Sequence, residues 1–208
     1  MGDSFDWYLL LWDMIEKNTK EEKFTKVAIS IIRALNISVA HLNHSFVARD
    51  SDISRAWIYK YIGQSKEELL KFGVEFFGKM LGDIKGPITV AKTKDEFKEH
   101  ILAATWEIIE KFSLYPDLTL LYFKHCGQST VIGKLIEDYE AEFIDQLRTT
   151  LIKLFNRGPQ DAKLVAELIM SLRMGIVHRY TMKELSKQFT IDDINHELNN
   201  IFTFMKRA

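Results

Sequence analysis

Residues 47–70 read VARDSDISRAWIYKYIGQSKEELL, and this stretch decides the fold of the chain. The pattern predicts the end of a short helix, a tight turn at Asp52, a second short helix, and a third helix that opens at Ser65. Ile53 is the expected apolar plug of the turn, and Ser54 is the expected N-cap of the second helix. This layout is typical of a helix-turn-helix motif, whose second helix enters the major groove of DNA.

Helical periodicity continues on both sides of this motif, and no alternating strand pattern interrupts it. Ser or Thr followed by Glu three residues later forms a capping box, which opens helices at Ser65 and at Thr93. The predicted helices outside the motif cover residues 4–17, 21–35, 65–81, 93–115, 117–126, 129–155, 161–185 and 191–205. The fold class is therefore all-α, with an N-terminal three-helix helix-turn-helix domain and a C-terminal helical bundle.

The composition narrows the class of protein. With 208 residues and 47% hydrophobic side chains, the chain can fill a substantial core. The apolar run 7–12 is too short to cross a bilayer and Cys126 is the only cysteine, so we expect a cytoplasmic protein without a membrane partner. The net charge is −1, but residues 20–72 carry nine basic and six acidic side chains. This local excess suits a surface that contacts phosphates.

The stretch 21–70 resembles the N-terminal signature of the tetracycline-repressor (TetR) family, approximately I-A-x-x-A-G-V-S-x-x-x-L-Y-x-Y-F-x-S-K-E-x-L. This chain offers Val47-Ala48 and then ISRAWIYKYIGQSKEEL over 53–69, with order and spacing kept. The resemblance implies a homodimer that binds a palindromic operator in double-stranded DNA and responds to a small molecule. We accordingly divide the chain into an N-terminal extension helix (1–19), a helix-turn-helix domain (20–72), and an effector-binding and dimerisation domain (73–208).

The resemblance also implies which residues contact DNA. Asn43 would face a phosphate at the start of the supporting helix, and Arg55 would read guanine with two hydrogen bonds. The other residues expected near base edges are Ser54, Ala56 and Trp57, and those expected near the DNA backbone are Tyr59, Lys60, Tyr61 and Lys66. For both lysines, a solvated side chain without a DNA contact is the alternative.

Four departures from the family pattern lie in or beside the motif. Asp52 replaces the usual turn glycine, Trp57 replaces a small residue, and Ile62 replaces an aromatic residue. His44 and Phe46 alter the pattern of the supporting helix. Trp57 either contacts a base or folds back into the core. These departures leave an alternative open, in which the chain is an interaction protein that keeps the helical scaffold but does not bind DNA.

The C-terminal helices carry aromatic and methionine residues that suit either a core or an apolar pocket. The pocket candidates are Trp106, Phe112, Tyr115, Tyr122, Phe123, Met170, Met174 and His178. The expected effector is a small, largely apolar molecule. Apolar residues recur at steps of three and four along 191–205, which predicts a seam for a partner helix. We therefore expect homodimerisation through 161–185 and 191–205.

Other classes of function find no support in the sequence. The six histidines show no His-Glu-x-x-His spacing, so we predict neither a metal site nor a cofactor. No nucleophile motif points to an enzyme. The helix over 4–17 is apolar nearly all round, and it lacks the basic residues of a membrane-surface helix. We expect it to pack on the protein itself or on the dimer mate rather than on a second protein.

Overall fold

The computed structural model of the protein describes residues 6–82 and 91–181, with side chains from residue 19 onward, and single positions at 192, 196, 199, 200 and 203. Every regular element in the two described ranges is a helix, which confirms the all-α fold class. The α-helices are α1 Asp6–Ile37, α2 His44–Ser51, α3 Arg55–Tyr61, α4 Lys66–Gly82, α5 Lys94–Leu114, α6 Pro116–His125, α7 Val131–Phe155 and α8 Pro159–Thr181. None of the described helices is long and apolar enough to cross a membrane.

The chain divides into two compact units, Met1–Phe76 and Phe77–Ala208. In the N-terminal unit, α1 packs against α2, and α2 packs against α3. The fully buried side chains that hold these helices together include Val27, Ile31 and Ile32 of α1, Val47 of α2, Ile58 of α3 and Leu69 of α4. The short helices of the predicted motif are thus anchored on one long helix by apolar contacts.

α1 is longer than the sequence predicted. The two helices expected over 4–17 and 21–35 form one continuous helix from Asp6 to Ile37. No glycine or proline occurs in this range, so nothing interrupts the helical hydrogen bonds where the two predicted helices were separated. The predicted packing of the aromatic N-terminal segment concerns side chains outside the described ones.

The C-terminal unit is built around the pair formed by α7 and α8. α5 also packs on α8, and α6 contacts α5, α7 and α8. The predicted capping box opens α5, because Thr93 Oγ1 accepts a hydrogen bond from the Glu96 N–H at 3.1 Å. The core side chains include Phe97, Ile101, Ile108, Phe112, Phe143, Leu147 and Leu151. The predicted helices 161–185 and 191–205 extend into residues outside the described ranges, where their ends stay predictions.

Candidate nucleic-acid interface and C-terminal core

The turn between α2 and α3 has the backbone geometry that the sequence predicted. Asp52 ends α2 with a φ of 57°, in the left-handed region. A short polar side chain tolerates this conformation better than most, which explains how the turn closes without glycine. The N–H of Ile53 then donates to the Ala48 carbonyl at 3.2 Å, and the turn is complete.

α3 presents one face outward and is anchored by the other. Ser54 is its N-cap, as predicted, and the Ser54 Oγ accepts a hydrogen bond from the Trp57 N–H at 3.2 Å. Ile58 is fully buried, whereas Tyr59 and Tyr61 are 41% and 39% exposed. The other exposed positions are Ser54, Arg55, Ala56 and Lys60. Arg55 makes no hydrogen bond or ion pair within the described part of the chain, so its guanidinium is available to a ligand.

Trp57 is half-buried in an aromatic cluster formed by Phe24, Trp57, Tyr61 and Phe72. Its ring centroid lies 5.1 Å from that of Phe24 and 4.9 Å from that of Tyr61. Phe24 also contacts Phe72 of α4, with 5.8 Å between the ring centroids. Trp57 therefore packs against α1, in agreement with the second of its two interpretations.

Lys20 was missed as a neighbour of the motif. Its ammonium lies 4.7 Å from the ring centroid of Tyr61 and 5.8 Å from that of Phe24. This cation–π contact brings a further positive charge to the aromatic cluster beside α3. The sequence offered one signal for the cluster, because Phe24 lies on the apolar face of α1 that also carries Val27, Ile31 and Leu35.

His44, one of the two residues that alter the pattern of the supporting helix, has structural partners in and after α3. His44 Nε2 lies 2.9 Å from the Gly63 carbonyl oxygen, and the His44 ring lies 4.7 Å from the Tyr59 ring. Asn43 is the N-cap of α2, because its Oδ1 accepts from the Phe46 N–H at 2.9 Å. His44 thus connects the start of α2 to the C-terminal end of α3, and Asn43 stands exposed at the start of α2.

Acidic groups around α3 are held by partners of their own. Asp50 lies 3.3 Å from the Arg33 guanidinium. The Glu68 carboxylate accepts from the N–H groups of Gln64 and Ser65 at 2.8 and 2.9 Å, while the Glu68 N–H donates to Ser65 Oγ at 3.1 Å. These hydrogen bonds complete the predicted capping box, and they hold the pKa of Glu68 below its usual value. Lys66, in the first turn of α4, is exposed.

The residues predicted to line an apolar pocket occupy different environments. Phe112, Tyr122, Met170 and Met174 are buried in the core, whereas Phe123 is 40% exposed. Trp106, Tyr115 and His178 are half-buried. His178 contacts Phe123, with 4.6 Å between the ring centroids. Tyr122 donates a hydrogen bond to Glu140, and burial together with this carboxylate raises the pKa of Tyr122.

A surface cleft of about 700 Å³ lies elsewhere in the C-terminal unit. It is lined by the loop from Cys126 to Thr130, by the first turns of α7 and by Glu140. The eight predicted pocket residues do not line it. Tyr122 is bonded to two residues that line the cleft, because its hydroxyl donates to Glu140 and its carbonyl accepts from the Cys126 N–H at 2.8 Å.

Arg173 is the polar group that the sequence analysis missed in the C-terminal unit. It is fully buried in α8, although arginine is almost never fully buried without a partner. The sequence contains one signal for the burial of Arg173, namely its position on an apolar stripe of the helix. It lies three or four residues from each of Ile169, Met170, Ile176 and Val177. A charged residue on such a stripe is unusual.

The helix-turn-helix unit followed by a helical bundle is the fold of TetR-family transcriptional regulators. No protein-family model matches the chain, and no characterised protein matches it significantly in sequence. A TetR-like transcriptional regulator from Rhodococcus sp. RHA1 superposes with a TM-score of 0.65 at 13% identity, over 86% of this chain and 92% of that one. FadR from Bacillus subtilis, solved in complex with stearoyl-CoA, has a TM-score of 0.58 at 14% identity, over 88% and 97%.

A third similar structure is NalD, the secondary repressor of the MexAB-OprM multidrug efflux pump in Pseudomonas aeruginosa. It superposes with a TM-score of 0.52 at 15% identity, over 89% of this chain and 96% of that one. These neighbours are transcriptional regulators rather than enzymes. At such low identity the likeness establishes a shared fold.

Proposed function

We propose that the chain is a ligand-responsive transcriptional repressor that binds a palindromic operator as a homodimer. The observation that carries this proposal is α3, which holds Ile58 in the core while Ser54, Arg55 and Ala56 stay exposed at its N-terminal end. Side chains at the start of a recognition helix are the ones that reach base edges in the major groove. The similarity to solved regulators supports the same function.

The individual DNA contacts that we propose use exposed side chains of α3 and of the helices beside it. Arg55 carries a planar fork that pairs with the O6 and N7 atoms of guanine. Tyr59 and Lys60 are exposed near the C-terminal end of α3, and Lys66 is exposed at the start of α4. Hydroxyl and ammonium groups at these positions donate to phosphate oxygens, which fixes the register of α3 in the groove. Asn43 adds a polar group at the exposed start of α2.

The exposed face of α8 supports the homodimer. Leu164 and Leu168 are 69% and 44% exposed. Further along the same helix, Ser171 and Gly175 are also exposed. Steps of four, three and four place these residues on one stripe, where two symmetry-related helices pack closely. We propose that this stripe and the predicted helix 191–205 form the dimer interface.

The proposed response to the effector passes through α4. This helix, Lys66–Gly82, begins in the N-terminal unit and ends in the C-terminal unit. An effector that binds the C-terminal bundle can shift the spacing of the two α3 helices only if it binds the two states with unequal affinity. The complex of FadR with stearoyl-CoA supports an effector with a large apolar part.

Fluorescence anisotropy with DNA from upstream of the gene tests the proposed DNA binding. We expect the combined substitutions Arg55→Ala and Tyr59→Ala to weaken binding by 10-fold or more, since one bidentate contact alone is worth about 1–3 kcal/mol. Lys153→Ala, at an exposed position of α7, is the matched control and should bind like the wild type. Affinity should also fall steeply with added salt. If the wild type and the double variant bind this DNA with equal affinity, the alternative of an interaction protein that does not bind DNA is favoured.

Analytical ultracentrifugation tests the proposed dimer. Leu164→Asp with Leu168→Asp places two charges on each copy of the interface, so we expect the dimer to dissociate at concentrations where the wild type stays dimeric. The control is Lys163→Ala with Glu167→Ala, which removes the ion pair of 3.8 Å beside the stripe but leaves both leucines. A dimer that survives both charged substitutions would exclude this face as the interface.

A further inference from the structure

Arg173 lies at the point where three helices of the C-terminal unit meet. Its Nε donates a hydrogen bond to Thr105 Oγ1 of α5 at 3.0 Å, and its guanidinium carbon lies 4.2 Å from the centroid of the Phe143 ring of α7. The side chain itself belongs to α8 and is completely buried. Both Nη1 and Nη2 are buried and have no hydrogen-bond partner in the described part of the chain.

Among the described residues, this environment leaves the positive charge of Arg173 without a counter-charge. Burial lowers the pKa of Arg173 to about 10, so the guanidinium remains protonated at neutral pH. The contact with Phe143 and the bond to Thr105 offset only part of the cost of removing the charge from water. Within the described part of the chain, the groups that act on Arg173 electrostatically are Tyr139 and Tyr122, and neither carries a carboxylate. A buried arginine normally pairs with an anion.

Tyr139 adds a second unsatisfied polar group to the same place. Its hydroxyl oxygen is buried without a hydrogen-bond partner in the described residues, and it lies close enough to Arg173 for each to affect the pKa of the other. The two free amino groups of Arg173 form a planar fork that matches the two oxygens of a carboxylate. The Tyr139 hydroxyl can donate to the same carboxylate.

The buried side chains next to Arg173 on α8 are apolar and adaptable, whereas Tyr139 is also affected electrostatically by the carboxylates of Glu140 and Glu107. Met170 and Met174 lie one turn before and directly after Arg173 on the buried side of α8, and Val177 follows one turn later. Methionine side chains are unbranched and flexible, so they can move aside for an apolar ligand more easily than branched residues can. The set of polar and apolar groups at this junction thus matches a molecule with one acidic end and one apolar body.

We propose that the effector of this regulator is an amphipathic carboxylate whose carboxylate pairs with Arg173 inside the C-terminal unit. This inference rests on the proposed function, because it names the chemistry of the ligand to which that regulator responds. A neutral ligand would leave the guanidinium unpaired, and a cationic ligand would be repelled by it. A phosphate monoester carries more charge than one arginine neutralises, so its desolvation is less well offset.

Ligand binding to the full chain, without DNA, gives the direct test. Thermal unfolding and isothermal titration calorimetry would compare four probes with the same ten-carbon chain: decanoate, 1-decanol, decyl phosphate and decyltrimethylammonium. We expect decanoate to raise the melting temperature in a concentration-dependent manner and the other three probes to raise it less or not at all. An equal shift from decanol would show that the charge is not recognised, and tighter binding of decyl phosphate would exclude a carboxylate. Either result overturns the proposal.

Substitution of Arg173 assigns the effect to this residue. Arg173→Met keeps the length and the apolar stem of the side chain and should weaken decanoate binding by at least about 30-fold. Arg173→Lys keeps the charge but loses the planar fork. Its affinity for decanoate should therefore lie between that of the wild type and that of Arg173→Met. Arg179→Met, at an exposed position of the same helix, is the matched control and should bind decanoate like the wild type. Undiminished binding by Arg173→Met would overturn the proposal.

The ligand-free variants provide a readout that a purely structural arginine would not give. Arg173→Met removes an unpaired buried charge, so we expect a higher melting temperature than that of the wild type, with an unchanged circular dichroism spectrum. A lower melting temperature together with undiminished decanoate binding would assign Arg173 to the core alone.

The DNA-binding assay separates this inference from the proposed function. Decanoate should weaken the operator complex of the wild type but not that of Arg173→Met. If the wild type binds its operator and decanoate has no effect in either assay, the carboxylate assignment fails while the DNA-binding function stands. If decanoate binds through Arg173 but no operator complex forms, the proposed function fails instead.

Discussion

The helix-turn-helix unit and the C-terminal bundle satisfy their polar groups in different ways. Around α3, Ser54 and Glu68 bond to backbone N–H groups that lie three or four residues away. In the bundle, Arg173 depends on Thr105, which is 68 residues away in the sequence. Local bonds form as soon as the helix ends form, whereas the bond between Thr105 and Arg173 requires α5 to be packed on α8. The comparison teaches that polar groups around α3 are satisfied by their neighbours in sequence, whereas the bundle leaves two buried amino groups of Arg173 without a partner among the described residues.

The largest expected effect concerns the long-range hydrogen bond between Thr105 and Arg173 in the bundle. Thr105→Val replaces the hydroxyl by a methyl group of similar size and leaves the Arg173 Nε without its acceptor. A buried donor that loses its partner costs about 1–3 kcal/mol, so the free energy of unfolding should fall by that amount. Urea denaturation followed by circular dichroism measures the change.

Thr150→Val is the matched control for this substitution. Thr150 is also buried, and like Thr105 its hydroxyl bonds to the carbonyl four residues earlier. The Thr150 hydroxyl has no arginine partner among the described residues, so its replacement should cost much less stability. Equal losses for the two variants would mean that the bond to Arg173 adds nothing to stability, and the contrast between the two units would weaken.

A smaller effect is expected from the N-cap of α3. Ser54→Ala removes the acceptor for the Trp57 N–H and should lower the free energy of unfolding by about 1 kcal/mol. Ser45→Ala, at an exposed position of α2, is the control and should change stability by less than about 0.5 kcal/mol. The measurement is again urea denaturation.

Ser54→Asp separates the capping role of Ser54 from DNA contact. Aspartate caps a helix as well as serine does, so stability should stay close to that of the wild type. The added negative charge lies at the proposed DNA surface and should weaken operator binding in the anisotropy assay. If Ser54→Asp binds the operator like the wild type, the N-terminal end of α3 does not approach the DNA.

Much of the helix-turn-helix unit could be predicted because its signals are local. The left-handed turn at Asp52, the cap at Ser54 and the capping box of Ser65 and Glu68 each involve residues within a few positions of one another. Such patterns have the same physical consequence wherever they occur. The continuity of α1 was not predicted, because a break was placed where neither glycine nor proline required one.

The rest of the candidate sites depended on contacts between distant residues. Composition alone could not show that Trp57 packs on Phe24, which lies on another helix, with 5.1 Å between the ring centroids. The pocket candidates were chosen as aromatic and methionine residues, a choice that selects core and surface positions equally. Arg173 was overlooked because its significance lies in Phe143 and Thr105, which the sequence does not place beside it.

The smallest expected effect concerns the local hydrogen bonds of the helix-turn-helix unit, and it is measured as a change of stability with pH. Hydrogen bonds from the Ser65 and Gln64 N–H groups hold the pKa of Glu68 below its ordinary value in the folded state. A lowered pKa stabilises the fold above the unfolded-state value, and this contribution is lost as the pH falls through the folded-state value. Glu68→Gln should therefore unfold at a lower urea concentration than the wild type at pH 7, and the gap should close at pH 3. Glu67 takes no part in the capping box, so the difference in urea midpoint between Glu67→Gln and the wild type should not change in this way with pH. A difference for Glu68→Gln that persists at pH 3 would contradict a cap that depends on the carboxylate.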